Sequence, residues 1–148
     1  PELRAFSAGR IRRFPPDKDE TDTEIGLRLF RELGVERVVL AGGGGGSLEH
    51  LVGILTLFER EQCPAAWYTA REHVQAVAPE VVLEGCRGQS LSLFPLGAGA
   101  RGLSSEGLKW PLDGLSWNRG EAGLRNLCLE DRVVIRVRRG RLLMVRTL

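Results

Sequence analysis

The chain lacks any apolar run long enough to cross a bilayer; its longest are short and broken by charges, where a spanning helix needs about 20 residues. No basic-then-apolar leader opens it, so no secretion signal is expected. Cysteine is scarce: Cys63, Cys86 and Cys128 lie far apart with no Cys-x-x-Cys pair. That argues against a zinc site and for a reducing compartment, with the thiols serving as small buried hydrophobes. Excess charge is missing too. The 21 basic and 19 acidic side chains leave a net charge of +2, too little to hold nucleic acid by charge alone unless the basic groups cluster. Lysine is almost absent, at Lys18 and Lys109 only, against 19 arginines. No repeat of solenoid period occurs. No methionine precedes Pro1, and a segment upstream is therefore expected. What remains, 148 residues with 43% hydrophobic and 27% charged side chains, is the composition of a globular chain forming one domain or two small ones. At that size about 70% of the unfolded surface can be buried, so no metal or staple is needed for stability.

The first half alternates helix and strand signals. Residues 1–14, ending in Ile11 and Phe14, suggest a helix remnant and a short strand, stopped by Pro15-Pro16. Thr21-x-x-Glu24 fits a capping box. Ile25, Leu29 and Leu33 follow as one apolar stripe, and Gly34 supplies the stop. Residues 35–41 (VERVVLA) read as a buried strand. Five glycines, 42–46, then lead to Ser47 as N-cap of a helix over 48–60. That helix is apolar nearly all round, which predicts cover on more than one side. After Cys63-Pro64 short extended runs take over. Residues 81–83, 91–94, 133–137 and 142–145 read as strands, the last two forming a tight hairpin at Arg139-Gly140. Val133, Ile135 and Val137 share one face of it, with Arg132, Arg136 and Arg138 elsewhere. The outline is an α/β segment followed by an antiparallel all-β module.

Four places could carry chemistry. Strand, glycine run and capped helix form a layout suited to an anion, because backbone N–H groups can approach a phosphate and the helix start adds partial positive charge. Neither a Walker loop nor Gly-x-Gly-x-x-Gly is present, however. The stretch Asp17-Lys18-Asp19-Glu20-Thr21-Asp22 puts four acids and a lysine at a helix start; these complement the helix dipole or hold Mg²⁺, which takes carboxylates together with substrate phosphates. Glu49-His50 occupies the first turn after the glycines. Finally, Trp110 stands in a Gly/Ser-rich loop, Gly107-Leu108-Lys109-Trp110-Pro111-Leu112, after Ser104, Ser105 and Glu106. It can be core or a stacking platform.

Taken in order, these places resemble the bacterial thiamine pyrophosphokinases. That family's Lys-Asp-x-Thr-Asp-x-Glu appears as Lys18-Asp19-Glu20-Thr21-Asp22-Thr23-Glu24. Its Gly-Gly-Arg-x-Asp-His reads Gly45-Gly46-Ser47-Leu48-Glu49-His50. Ser-Leu-x-Pro-Leu follows at Ser92-Leu93-Phe94-Pro95-Leu96, Glu-Gly-Leu-Lys-Trp-Pro-Leu at residues 106–112, and Gly-Ile-Ser-Asn at Gly123-Leu124-Arg125-Asn126. Five ordered matches over nearly the whole chain are far more specific than any one. The resemblance implies a Rossmann-like α/β domain over 1–64, its N-terminal strands missing, and an antiparallel β-sandwich over 65–148 that binds thiamine. It implies transfer of diphosphate from ATP to thiamine with release of AMP, in a cytoplasmic homodimer using Mg²⁺. By motif, Lys18, Asp19 and Asp22 would be catalytic, Asp19 and Asp22 holding the metal. Thr21, Gly45, Gly46, Ser47, Glu49 and His50 would face the nucleotide, and Ser104, Trp110 and Asn126 the thiamine.

The chain departs from the pattern where Ser47 and Glu49 replace an Arg and an Asp, and where Arg125 replaces a Ser. The first change removes a phosphate fork. The family's upstream Asp-x-Asp-Ser motif lies ahead of Pro1-Glu2-Leu3. A relative that binds without catalysis is therefore the main competing reading. A third is a nucleic-acid module using Arg132, Arg136, Arg138, Arg139, Arg141 and Arg146 as a phosphate-binding stripe.

Overall fold

A computed structural model describes residues 11–148, which fall into two units divided between Gly34 and Val35. The expected helix remnant over 1–14 lies mostly outside the described residues, and residues 11–15 form no regular element.

In the first unit, helix α1 spans Asp22–Glu32. Its start is the capping box read from the sequence: Glu24 N–H donates to Thr21 Oγ1 at 3.2 Å and Thr21 N–H to Glu24 Oε2 at 2.8 Å. Two of the four amides that a helix start leaves unpaired are so satisfied. Gly34, at φ 76°, closes the other end by donating to Arg31 O at 2.8 Å. The expected stripe holds only in part. Ile25 and Leu27 are buried, but Leu33 is 70% exposed because it is the C-cap, past the last helical turn.

The second unit is one mixed, eight-stranded sheet. Strand β1 (Val39–Ala41) runs parallel to β2 (Ala66–Tyr68), with helix α2 (Leu48–Thr56) and a 3₁₀ turn (Leu57–Glu59) between them. Here two expectations fail. The strand expected over 35–41 is three residues long and lies at the sheet edge, where Val39 stays exposed. Helix α2 has no buried residue and Leu48 is 75% exposed. Only Leu51, Ile54 and Leu55 pack inward, so the helix is covered on one side.

From β2 the chain turns back antiparallel into β3 (Glu72–Val77), then β4 (Glu80–Leu83), β5 (Ser90–Glu106), β6 (Ser116–Asn118), β7 (Gly123–Leu127) and β8 (Val133–Thr147). The expected hairpin at Arg139-Gly140 does not form. Residues 133–147 are one continuous strand because each half finds a different partner: Val133 to Arg136 pair with β4, Leu142 to Thr147 with β3. Strand β5 runs antiparallel along nearly all of it, from Leu91↔Arg146 to Glu106↔Val134. Gly140 serves as a bend in the strand. At φ 86°, a Cβ there would stand 2.1 Å from Gly99 O, so the two strands approach as only glycine permits.

The bend folds the ribbon over its main core. Val133, Ile135 and Val137 from one half of β8 and Leu142 and Met144 from the other enter the same apolar cluster, with Leu91, Leu93 and Leu103 of β5. Alternation sends Leu143 and Val145 to the opposite face, where they meet Phe58, Trp67 and Val74 under α2. Each such buried side chain contributes about 1.5–3 kcal/mol of transfer free energy. Cys86 and Cys128 sit in the main cluster as small hydrophobes, and burial, with Cys86 beside it, pushes the Cys128 thiol up to about 12.

Candidate functional site

The glycine run forms the turn between β1 and α2. Its entry is pinned: Gly42 N–H donates to Tyr68 O at 2.8 Å, and Gly42 O accepts from Trp67 Nε1 at 2.6 Å. Gly44 lies against Thr69, where a Cβ would come within 2.4 Å of the threonine Cβ. Between this loop and the β2–β3 turn is a cleft of ≈ 580 Å³ lined by Gly42 to Gly45 and Thr69 to Glu72. Thr69 organises the facing wall, accepting at Oγ1 from Arg71 N–H at 3.1 Å and Glu72 N–H at 2.9 Å and donating to the Glu72 carboxylate. Gly45 thus lines a concave surface, whereas Gly46 is exposed beyond it. Thr69, Arg71 and Glu72 carried no sequence signal, because a turn between two very short strands has no periodicity to read.

Ser47 takes the N-cap position of α2 but makes no cap bond. Its hydroxyl meets His50 Nδ1 at 2.7 Å and Glu49 Oε1 at 3.3 Å, an exposed cluster of three at the helix start.

In the other unit, Lys18 pairs with Asp22 at 3.0 Å. Thr21 is committed to the capping box, and Glu20 to Arg28 at 3.0 Å. Asp19 is exposed. Among the described residues no group of three or more His, Cys, Asp or Glu is arranged to hold a metal ion.

The Trp110 loop is built differently. Gly107, at φ 78°, starts it where a Cβ would strike Arg132 O at 2.7 Å. Leu108 and Leu112 point into the core while Trp110 is 54% exposed. Lys109 Nζ lies 4.6 Å from the indole centroid. Asn126, only 6% exposed, grips the tryptophan backbone from both sides: Trp110 N–H donates to its Oδ1 at 3.1 Å and its Nδ2 donates to Trp110 O at 2.7 Å. Leu112 N–H donates to Ser105 Oγ at 3.0 Å. Asn126 therefore orients the loop that carries the indole, and Ser105, which the motif comparison passed over, anchors its far end. Ser104 is half-buried on β5 opposite Arg136. Beside it, Arg136, hydrogen-bonded to Glu106, holds that carboxyl below its usual range, with Arg132 adding to the effect. Arg125, preceding Asn126, adopts a left-handed φ of 54° and donates its N–H to Ser92 Oγ at 3.0 Å.

Residues 80–142 match the family model described as "Thiamin pyrophosphokinase, vitamin B1 binding domain". Solved structures share the fold. The thiamin pyrophosphokinase of Geobacillus thermodenitrificans superposes with a TM-score of 0.76 at 23% identity, covering 99% of this chain and 70% of that one. The thiamine pyrophosphokinase of Bacillus subtilis gives 0.71 at 22% identity, over 88% of this chain and 64% of that one. A thiamin pyrophosphokinase family protein of Enterococcus faecalis gives 0.76 at 17% identity, over 91% and 67%. The chain thus spans about two thirds of the length of these proteins. No curated protein matches it.

Proposed function

We propose, for a chain whose residues 80–142 match the vitamin B1 binding domain of thiamin pyrophosphokinase, a part in transferring the diphosphate of ATP to thiamine. The observation that carries the reading is the half-exposed Trp110 indole on a loop whose backbone is fixed by Asn126. Thiamine joins a permanently cationic thiazolium to a flat pyrimidine, and an indole face attracts both by stacking and a cation–π contribution of about 0.5–2 kcal/mol. Lys109, now over that ring, would yield its place to the ligand cation.

In the reaction the hydroxyl oxygen of thiamine forms a bond to the β-phosphorus of ATP and gives up its proton to water, the bond from that phosphorus to the α–β bridging oxygen breaks, and AMP leaves with that oxygen. Little covalent help is required; positioning and charge neutralisation suffice. The glycine cleft beside β1–α2–β2, read as the nucleotide side of a Rossmann-like portion, offers backbone and Arg71 to the phosphates. Asp19 and Asp22 supply oxygen donors of the kind Mg²⁺ accepts, two carboxylates to be completed by substrate phosphates. When bound, that ion would neutralise phosphate charge. Lys18, paired with Asp22, belongs to the same motif and would be catalytic in this reading. Ser47, Glu49 and His50 flank the cleft at the start of α2, and Ser104 stands near the thiamine side. The assembly in this reading is a cytoplasmic homodimer. Among the described residues no helix is long and apolar enough to cross a membrane.

The test is release of AMP from ATP, thiamine and Mg²⁺, using this chain and a version extended upstream through the family's acidic segment. Thiamine-dependent AMP is expected from the longer protein at least. None from either would leave the second reading, a binding relative without catalysis, which the Ser47–Glu49–His50 cluster favours because serine stands where the family has its phosphate-binding arginine.

A further inference from the structure

We propose that the bend of the β5–β8 ribbon carries a second anion site, for a small ligand bearing a diphosphate or similarly multivalent phosphate group. Arg101, Ser116, Arg138 and Arg139 line a pocket there of ≈ 440 Å³, within the roughly 300–1,000 Å³ typical of small-ligand sites. Arg101 and Arg139 are direct cross-strand partners, and like charges so placed repel. Arg138 is drawn in beside them. Its side chain lies over Gly102, where a Cβ would come within 2.9 Å of the Arg138 Cβ.

Several other arginines are answered by carboxylates: Arg28 by Glu20 and Glu32, Arg87 by Glu130, Arg132 by Glu84, and Arg136 by Glu80 and Glu106. Among the described residues Arg101, Arg138 and Arg139 form no ion pair. Arg101 is held by neutral acceptors, Trp117 O and Asn118 Oδ1, each at 2.6 Å, with Glu121 reaching only the Asn118 backbone N–H. Its guanidinium is thereby fixed in place while its charge stays uncompensated. The Arg138 and Arg139 guanidinium forks and the Ser116 hydroxyl, beside the fixed charge of Arg101, suit the geometry of phosphate oxygens around a concave space.

A nucleic-acid stripe fits these observations less well. Arg132 and Arg136 are paired with acids, while Arg141 is turned to the carbonyls of Glu59 and Arg60 and Arg146 to Gln89. Three arginines without a carboxylate partner meet at one hollow, while the others of the strand turn to separate partners. This site goes beyond the reading above, since its lining shares no residue with the glycine cleft or the Trp110 loop.

The experiment titrates inorganic pyrophosphate into the ¹⁵N-labelled full chain. Saturable shifts are expected at the amides of Gly102, Ser116 and Arg139. In R138Q/R139Q they should require at least tenfold more pyrophosphate, while any shifts at the glycine run, 42–46, keep their midpoint. R138K/R139K, which keeps the charges and loses the forks, should fall between, and serves alone should the glutamine variant not fold. Pyrophosphate should also raise the Tm of the parent more than that of either variant. Shifts confined to the glycine run, or equal midpoints in parent and variants, would overturn the site. So would a DNA or RNA duplex producing the Gly102 and Arg139 shifts at lower concentration than pyrophosphate, in favour of nucleic acid.

Discussion

The Trp110 loop and the glycine loop both connect regular elements, yet one is held along its length and the other only at its entrance. Around Trp110, Leu108 and Leu112 are buried anchors, and Asn126 and Ser105 satisfy backbone groups. Every residue from Gly42 to His50 is exposed, and the tethers are those at Gly42. In the proposed reading the difference follows from what each would do. A stacking platform gains affinity when its position is set before the ligand arrives. A backbone cradle has to approach charged oxygens closely, which needs small residues and some freedom, and that freedom carries an entropic cost on binding.

Asn126→Ala should break the comparison most strongly, since it leaves Trp110 N–H and C=O without their partner. A loss of about 2–3 kcal/mol in urea unfolding is expected, from about 1–3 kcal/mol per buried unsatisfied group, together with weaker thiamine binding. A change below ~0.5 kcal/mol would mean the loop is not set by Asn126. Trp110→Ala separates platform from scaffold: thiamine affinity in calorimetry should fall by at least ~1 kcal/mol, with unfolding free energy altered by no more than about 0.5 kcal/mol. Unchanged affinity would return the indole to a packing role.

The two helix starts sharpen the same contrast. Thr21→Ala removes a formed capping box and should cost about 1 kcal/mol, whereas Ser47→Ala removes no cap bond and should stay within about 0.5 kcal/mol. Equal costs would contradict the difference between them. The smallest effect concerns pH. His73, buried and stacked on Tyr68 at 4.4 Å, has its pKa lowered from the ordinary 6.5 by burial and then by the charge of Arg146. The folded state prefers the neutral ring, so this contribution is complete above the unfolded value and lost as pH falls through the lowered folded one. Stability should decline below about pH 6.5, and His73→Gln should flatten that decline in urea melts at pH 7.5 and 5.5. An unaltered slope would assign the decline to other groups.

Much that is local was legible in the chain. The Thr21–Glu24 box, the stop at Gly34, the strand at 81–83 and the shared face of Val133, Ile135 and Val137 all stand in the structure. The likeness to the vitamin B1 binding domain over residues 80–142 was legible as well, because short motifs in order are too specific to arise from composition. The site was legible as residue types and less so as an arrangement. The motif singled out Asn126, but its grip on the Trp110 backbone joins residues sixteen positions apart. The Thr69–Glu72 wall opposite the glycines had no motif at all.

Where reading failed, the competing influence was long-range pairing. Arg139-Gly140 has the chemistry of a tight turn, and a glycine with positive φ does sit there. Whether that φ closes a hairpin or bends a strand depends on which partners lie alongside, and β3, β4 and β5 supply them for both halves of β8. The apolar character of α2 and β1 likewise stated how much surface these elements could bury, not how much the described fold covers. Caps, stops and alternation act within a few residues and are written in the chain itself. Strand partners, helix cover and the gathering of unpaired arginines at one bend depend on residues far apart in the sequence, and only the folded sheet brings them together.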